Sequence, residues 1–223
     1  MNKIAVCIIS GGMDSALGAT LAKNEGYDIV ALHFNYGQRT QKKELESFRK
    51  IAKKLETIEQ YEIDLDFFKQ IGASALTDSS LEVPTGGVED GVPITYVPFR
   101  NGIFISIATA LAEKHGAEAL FIGVVEEDSS GYPDCRDTYI KSMEQSINLG
   151  TKEETKLEIR MPLVHMKKSE IVQKSIELNV PLEDTWSCYK EEERACGVCD
   201  SCRLRLNGFK LAGVKDPIEY ASF

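Results

Sequence analysis

The sequence predicts an α/β protein: a parallel sheet with helices on both faces, followed by a small cysteine-rich helical element. Three observations predict it. Short apolar runs alternate with amphipathic stretches from the N-terminus to residue 180. The first apolar run ends in a glycine turn that leads directly into a helix. Four of the 6 cysteines then crowd together near the C-terminus. The expected division is residues 1–180 for the α/β part and 181–223 for the cysteine region.

The elements follow in order. Residues 4–9 (Ile-Ala-Val-Cys-Ile-Ile) form a continuous apolar run, as a strand buried on both faces requires. Residues 16–23 read as a helix that Gly26 terminates. Residues 27–34 are a second strand. Residues 41–55 are a charged amphipathic helix with Leu45, Phe48, Ile51, Ala52 and Leu55 on one face. A third strand is expected over 57–65 and a short helix over 66–72. Residues 73–99 break every regular pattern with Pro84, Pro93, Pro98, Gly86, Gly87 and Gly91. So long an irregular segment reads as a loop that could cover the site; a merely tolerated insertion is the competing reading. Residues 100–115 are an apolar helix closed by Gly116, 117–125 a buried strand, and 126–136 a polar loop. A helix over 137–149, a strand over 156–164 and a helix over 167–179 complete the α/β part.

Composition bounds the function. The 223 residues suffice for one well-buried α/β core with a small appended element. A net charge of −9 argues against broad nucleic-acid binding, which needs a basic footprint. No apolar run approaches the roughly 20 residues that span a bilayer. The N-terminus reads as a strand and not as a signal peptide, so the expected location is the cytoplasm.

The chemistry starts at Ser10-Gly11-Gly12-Met13-Asp14-Ser15. Gly11 and Gly12 let the backbone approach a ligand closely. The first-turn N–H groups of the following helix point at that ligand, and the helix dipole favours an anion there. Ser10 and Ser15 add hydroxyl donors. The physical reading is a phosphate cradle; an ordinary turn with an ordinary helix cap is the competing one. The stretch is neither Gly-x-x-x-x-Gly-Lys-Ser/Thr nor Gly-x-Gly-x-x-Gly.

Cys188, Cys196, Cys199 and Cys202 offer four thiolates, the ligand number of a closed structural zinc site. Zinc stands ahead of an iron–sulfur cluster, and both ahead of disulfides in a cytoplasmic protein. Such a metal would be structural and would fold a tail poor in apolar residues. Cys7 reads as a core residue. Cys135 invites a nucleophile reading, but no neighbouring base supports it.

Ligands of open α/β sheets bind beyond the carboxyl ends of the strands. The loop 126–136 and the glycine loop should therefore share a crevice. Its carboxylates Glu126, Asp128 and Asp134 suit a purine-like edge, Tyr132 a ring, and Arg136 an anion; a solvated acidic turn is the competing reading. Arg39 and Arg100 each suit phosphate or carboxylate charge, or are surface cations. His33, His115 and His165 are scattered, and no pair has metal-ligand spacing.

Ser-Gly-Gly-x-Asp-Ser after a first strand is the signature of the PP-loop ATP pyrophosphatase superfamily. Five further segments narrow the resemblance. They are Phe34-Asn35-Tyr36-Gly37-Gln38-Arg39, Tyr96-Val97-Pro98-Phe99-Arg100-Asn101, Ser130-Gly131-Tyr132-Pro133-Asp134-Cys135-Arg136, Trp186-Ser187-Cys188-Tyr189, and the run from Ala195 to Arg205 that holds Cys196, Cys199 and Cys202. In this order, over nearly the whole chain, they resemble the 7-cyano-7-deazaguanine synthase family of queuosine precursor biosynthesis. Phe99 and Gly102 depart from the family pattern, which has a small residue and a more ordinary helical one there.

The resemblance implies a Rossmann-like fold of PP-loop/HUP type. It implies ATP with magnesium, one structural zinc per chain, a deazapurine substrate, ammonia, AMP and pyrophosphate as products, and a homodimer. ATP would lie on Ile9, Ser10, Gly11, Gly12, Met13, Asp14, Ser15, Ala16, Leu17, Gly18 and Ala19, with His33 and Phe34 by the adenine. Ser10, Asp14, Ser15 and Arg100 would act in catalysis. Arg39 and the 126–136 loop would take the deazapurine. Another PP-loop ligase, such as a tRNA thiolase, is the nearest alternative, and the net charge of −9 disfavours it. A zinc-bearing binding module would turn over no ATP.

Overall fold

The computed structural model describes residues 3–86, 91–126 and 131–221. Five strands form the sheet: β1 (Ile4–Ile8), β2 (Asp28–Asn35), β3 (Glu59–Asp64), β4 (Ala119–Ile122) and β5 (Glu158–Arg160). Their spatial order is β3-β2-β1-β4-β5, and every pairing is parallel. The order reverses at β1, so the crevice between the carboxyl ends of β1 and β4 is the expected ligand position.

Strand alternation divides the core in two. Ala5, Cys7, Ile29, Ala31, Ala119 and Phe121 face one side, under α1 (Met13–Asn24), α2 (Gln41–Lys54) and α6 (Lys168–Glu177). Val6, Ile8, Val30, Leu32, Leu120 and Ile122 face the other, under α3 (Phe67–Ile71), α4 (Arg100–His115) and α5 (Asp137–Gly150). Both faces of β1 are covered, which is why its sequence is apolar throughout and does not alternate. The outer strand β3 carries Glu59, Gln60 and Glu62, polar groups that keep a sheet edge from pairing with another chain.

Three expectations shift clearly at their edges. The strand expected over 117–125 contracts to Ala119–Ile122. The first helix begins at Met13 and not at residue 16, so the glycine turn is a single tight step. The last strand contracts from 156–164 to Glu158–Arg160, because residues 161–164 turn away to reach Met166 and α6.

The C-terminal region is less poor in apolar residues than the sequence suggests. Trp186, Ala195, Val83 and Ala75 pack with the four buried cysteines in a third cluster, which Leu81, Val198, Ile218 and Tyr220 flank. Phe209 of α7 (Asp200–Leu211) joins the α1/α6 side of the main core. A buried ion pair fixes this region. Arg205 donates through Nε to Asp216 Oδ2 at 2.7 Å and through Nη2 to Oδ1 at 2.9 Å. Its remaining N–H groups reach Thr185 Oγ1 at 2.7 Å and the Leu182 carbonyl at 3.1 Å. The Tyr220 hydroxyl donates to Asp216 Oδ2 at 2.7 Å. Both charges are thus satisfied by several partners, as burial demands.

Gly102 explains the departure at Phe99. Phe99 has a left-handed backbone (φ 54°) at the start of α4. A Cβ at Gly102 would lie 2.5 Å from the Phe99 ring and 2.4 Å from the Tyr139 hydroxyl. The two positions are complementary: the missing side chain makes room for the ring.

Candidate active site

The glycine turn is the floor of a cavity of ≈ 270 Å³. Gly12 is the cap residue of α1, with extended backbone and no side-chain cap hydrogen bond, so no side chain takes the first-turn N–H groups there. Ser15 Oγ accepts from the Ser10 N–H at 3.1 Å and donates to the Gly12 carbonyl at 3.0 Å. Ser10 Oγ lies 3.1 Å from Ser15 Oγ. These contacts hold the turn in shape before any ligand arrives.

Two glycines make the turn possible. Gly11 has φ +93°, and a Cβ there would sit 2.5 Å from the Glu44 carbonyl oxygen of α2. Gly123, just past β4, would place a Cβ 2.8 Å from the Ser15 backbone nitrogen. The β4 end therefore presses directly on the turn, a role no local signal at Gly123 announced.

The wall is assembled from distant segments. Asp14 pairs with Lys168 at the start of α6, at 2.7 Å and 3.0 Å. Close packing of α7 at Gly208, where a Cβ would meet the Lys168 backbone carbon at 3.2 Å, backs that lysine. The Trp186 N–H donates to the Gly11 carbonyl at 2.9 Å, and Thr40 Oγ1 lies 3.1 Å from the Cys188 carbonyl oxygen. The cysteine region is therefore tied to the glycine turn itself. Phe34 lines the cavity, its ring stacked on Phe104 at 4.1 Å.

Arg100 lies over the rings of Tyr36 and Phe104 and donates through Nη1 to the Tyr36 hydroxyl at 3.0 Å. Its Nε is buried with no hydrogen-bond partner among the described residues. Tyr132 donates to Thr95 Oγ1 at 2.9 Å, and burial together with Tyr132 holds the Tyr189 phenol well above its ordinary range. Burial pushes the Cys135 thiol up to about 12, so it is not a ready nucleophile.

The structure brings together Ile9, Ser10, Gly12, Met13, Asp14, Ser15, Phe34, Arg39, Arg100 and Tyr132 on one cavity wall. Other expected residues sit elsewhere. Ala16, Leu17 and Ala19 pack in the core under α1, and Gly18 is buried on the same helix. His33 faces α2, stacked on Phe48 at 5.0 Å, with Nδ1 donating to the Ile9 carbonyl at 2.9 Å; burial lowers its pKa and keeps it neutral. Asp134 accepts from the Asn101 N–H at 2.9 Å and so caps α4 from behind the wall; burial raises its pKa. Glu126 accepts from the Asp137 N–H at 3.2 Å, and Arg136 is exposed at the start of α5. Asp128 lies outside the described residues. Lys168 and Glu44 join the wall without having been singled out, and Tyr36, Trp186 and Tyr189 join it from segments that carried only the resemblance.

Arg39 also binds its own chain. It donates to the carbonyls of Ala75 (2.7 Å), Asp78 (3.0 Å) and Leu81. This fork pins the irregular segment so that Leu76 borders the cavity. Lysine cannot present that planar fork. Arg39→Lys is expected to cost about 1–3 kcal/mol locally and to speed amide hydrogen exchange over residues 74–81. Unchanged exchange there would show that the fork does not hold the segment.

The four C-terminal thiols converge, with sulfur atoms all within 4.8 Å of one another. Cys196 and Cys202 sulfurs are 3.9 Å apart, close to the roughly 3.8 Å edge of a tetrahedron with 2.3 Å zinc–sulfur bonds. The Cys196 N–H points at Cys188 Sγ (3.3 Å) and the Cys199 N–H at Cys196 Sγ (3.4 Å), donors that suit thiolates. All four cysteines are free of disulfides. The cluster is compatible with zinc.

A parallel sheet of this order, with a glycine turn leading from the β1 end into α1, defines an α/β fold of the PP-loop type. Solved structures agree on the fold. The NMN synthetase from Francisella tularensis aligns with a TM-score of 0.51 at 18% identity, covering 96% of this chain and 79% of that one. A 4-thiouridine synthetase, solved with RNA and bound ATP, aligns with a TM-score of 0.52 at 18% identity, covering 95% and 50%. The family model described as queuosine biosynthesis protein QueC matches residues 4–213, and the chain belongs to that family. A relative from Sulfurovum sp. (strain NBC37-1), named 7-cyano-7-deazaguanine synthase, is 75% identical over 220 residues, 99% of each chain. A relative of the same name from Sulfurimonas denitrificans is 69% identical over 219 residues, 98% of each chain. Among the described residues, no helix is long and apolar enough to cross a membrane.

Proposed function

We propose that this chain converts 7-carboxy-7-deazaguanine and ammonia to 7-cyano-7-deazaguanine with ATP, in queuosine biosynthesis. The observation that carries the reading is the 75% identity over 99% of both chains to a protein named for that product. The cavity supports it, because the glycine turn, Arg39 and Arg100 line one and the same cavity. Residues 1–180 form the ATP-using part in this reading. Residues 181–223 form a zinc-held part that closes over it, and the enzyme acts as a cytoplasmic homodimer.

A carboxylate oxygen is a poor leaving group, and adenylation corrects that. The substrate carboxylate attacks the α-phosphorus of ATP, the bond to the β-phosphate breaks, and pyrophosphate leaves. Ammonia then displaces AMP from the acyl carbon to give the amide. The amide oxygen attacks the α-phosphorus of a second ATP, the bond to the β-phosphate breaks, pyrophosphate leaves, and an N–H proton is lost. Departure of AMP and the remaining N–H proton leaves the nitrile.

The residues contribute position and charge. Ser10, Gly11, Gly12 and Ser15 hold the departing pyrophosphate. Asp14 sets Lys168 at the cavity edge, where its ammonium meets phosphate oxygens. Magnesium would arrive with ATP and supply further charge neutralisation; the carboxylate of the cradle itself is already paired with Lys168. Phe34 walls the adenine. Arg100, aimed by Tyr36, stabilises charge on the substrate carboxylate and α-phosphate. Tyr132 and Arg39 border the deazapurine.

The test is to incubate the protein with ATP, magnesium, ammonium and 7-carboxy-7-deazaguanine and to identify products by mass. The expected result is the nitrile with AMP and pyrophosphate. ADP and phosphate as sole nucleotide products would overturn the reading. Turnover that requires tRNA would favour another PP-loop ligase.

A further inference from the structure

The Glu44 carboxylate is the charged group of the cavity that the reaction above leaves without a task. Among the described residues, the lining carries the cations Arg39, Arg100, Lys168 and Arg205 and the carboxylates of Asp14 and Glu44. Asp14 is bonded to Lys168, and Arg205 to Asp216. Among the described residues, Glu44 accepts hydrogen bonds from neutral donors: Thr40 Oγ1 to Oε1 at 2.8 Å and Gln38 Nε2 to Oε2 at 3.1 Å. A carboxylate has about four acceptor positions, so two remain for a ligand.

We propose that Glu44 is the ammonium site: its carboxylate draws an ammonium ion into the cavity and accepts a proton from it. The inference rests on the proposed function and deepens it. Ammonia in neutral water is almost entirely ammonium, which is not a nucleophile. A pocket lined by Arg39, Arg100 and Lys168 repels that ion unless an anion offsets them.

The proton count closes. The ion gives one proton to Glu44. The freed nitrogen lone pair forms the C–N bond to the adenylated carboxyl carbon. The C–O bond to AMP breaks with its electron pair on the AMP phosphate, and a second N–H proton leaves to water.

The carboxyl is tuned for this exchange. Burial pushes it up to about 7, against the pull of the Thr40 and Gln38 donors and of the Arg100 charge, with Glu192 adding to the rise. A base near ambient pH both accepts and releases a proton readily. Its folded pKa lies above the ordinary value. Its contribution to stability is therefore fully present below the ordinary carboxylate range and is lost as pH rises through about 7. Above that pH the fold carries the cost of an ionised, half-buried carboxylate.

Glu44→Gln keeps the shape and removes the charge, and Glu44→Asp keeps the charge. For Glu44→Gln we expect the KM for ammonium to rise about tenfold or more, with partial recovery in Glu44→Asp. Pyrophosphate exchange into ATP with the carboxylate substrate, which needs no ammonium, should stay within about twofold of wild type. At about pH 8 the glutamine variant should melt no lower than wild type. Binding is read independently of turnover: wild type should broaden the 15N-ammonium NMR signal and Glu44→Gln should not. An unchanged ammonium KM with unchanged broadening would overturn the proposal. So would equal losses in exchange, turnover and melting temperature, which mark a structural role. Wild type that broadens the ammonium signal but leaves the carboxylate substrate untouched would sink the substrate reading and keep the ammonium site.

Discussion

Cys199→Ser is expected to lose bound zinc and folding stability together. Zinc held by four thiolates contributes about 10–16 kcal/mol to small folded units. The cluster sits in its own apolar patch with Trp186 and Ala195, so losing the ion would release more than one side chain. A loss of ~4 kcal/mol or more is expected, a fall of about 10 °C in melting temperature for a chain of this size. The damage should reach the glycine turn, because the Trp186 N–H bonds the Gly11 carbonyl and Thr40 Oγ1 lies against the Cys188 carbonyl. Metal content by atomic emission, thermal melting and AMP release from ATP check the three effects. Unchanged metal content would refute the assignment of the four thiolates.

Gly11→Ala is expected to lower ATP consumption about 100-fold or more and stability by about 2–4 kcal/mol. Two penalties act at once. The backbone has φ +93°, and the new Cβ would meet the Glu44 carbonyl at 2.5 Å and Ser47 Cβ at 3.1 Å. Neither obstacle is a flexible side-chain end, so α2 or the turn must shift. Gly12→Ala is the control. Its φ is −82°, and a Cβ there meets Ser10 Oγ at 3.4 Å and the Trp186 carbonyl at 3.5 Å. It should melt close to wild type. Wild-type turnover in Gly11→Ala would contradict the tight seating of the turn against α2.

Strand alternation accounts for the sorting of His33 and Phe34. The two are neighbours in β2, and successive side chains point to opposite faces. Phe34 shares its face with Val30 and Leu32 and reaches the cavity; His33 turns to Phe48 on the other side. Alternation alone told that they part, but not which side held the cavity. Ala16, Leu17, Gly18 and Ala19 continue the glycine turn in sequence, yet helical rotation carries them into the core within one turn.

The parallel α/β order, the glycine turn at the first strand end and the four-thiol cluster were legible in the chain. Each is a local pattern: apolar runs of strand length, paired glycines before a helix, and cysteines separated by two residues. Folding alone brings Lys168 to Asp14, presses Gly123 on Ser15, latches Trp186 onto Gly11 and turns Glu44 to the cavity. These partners lie far apart in the chain, or on a helix face whose direction depends on what it packs against. A single sequence carries no term for such pairs, because the sheet order and the close approach at Gly11, Gly123 and Gly208 create them only when the chain folds.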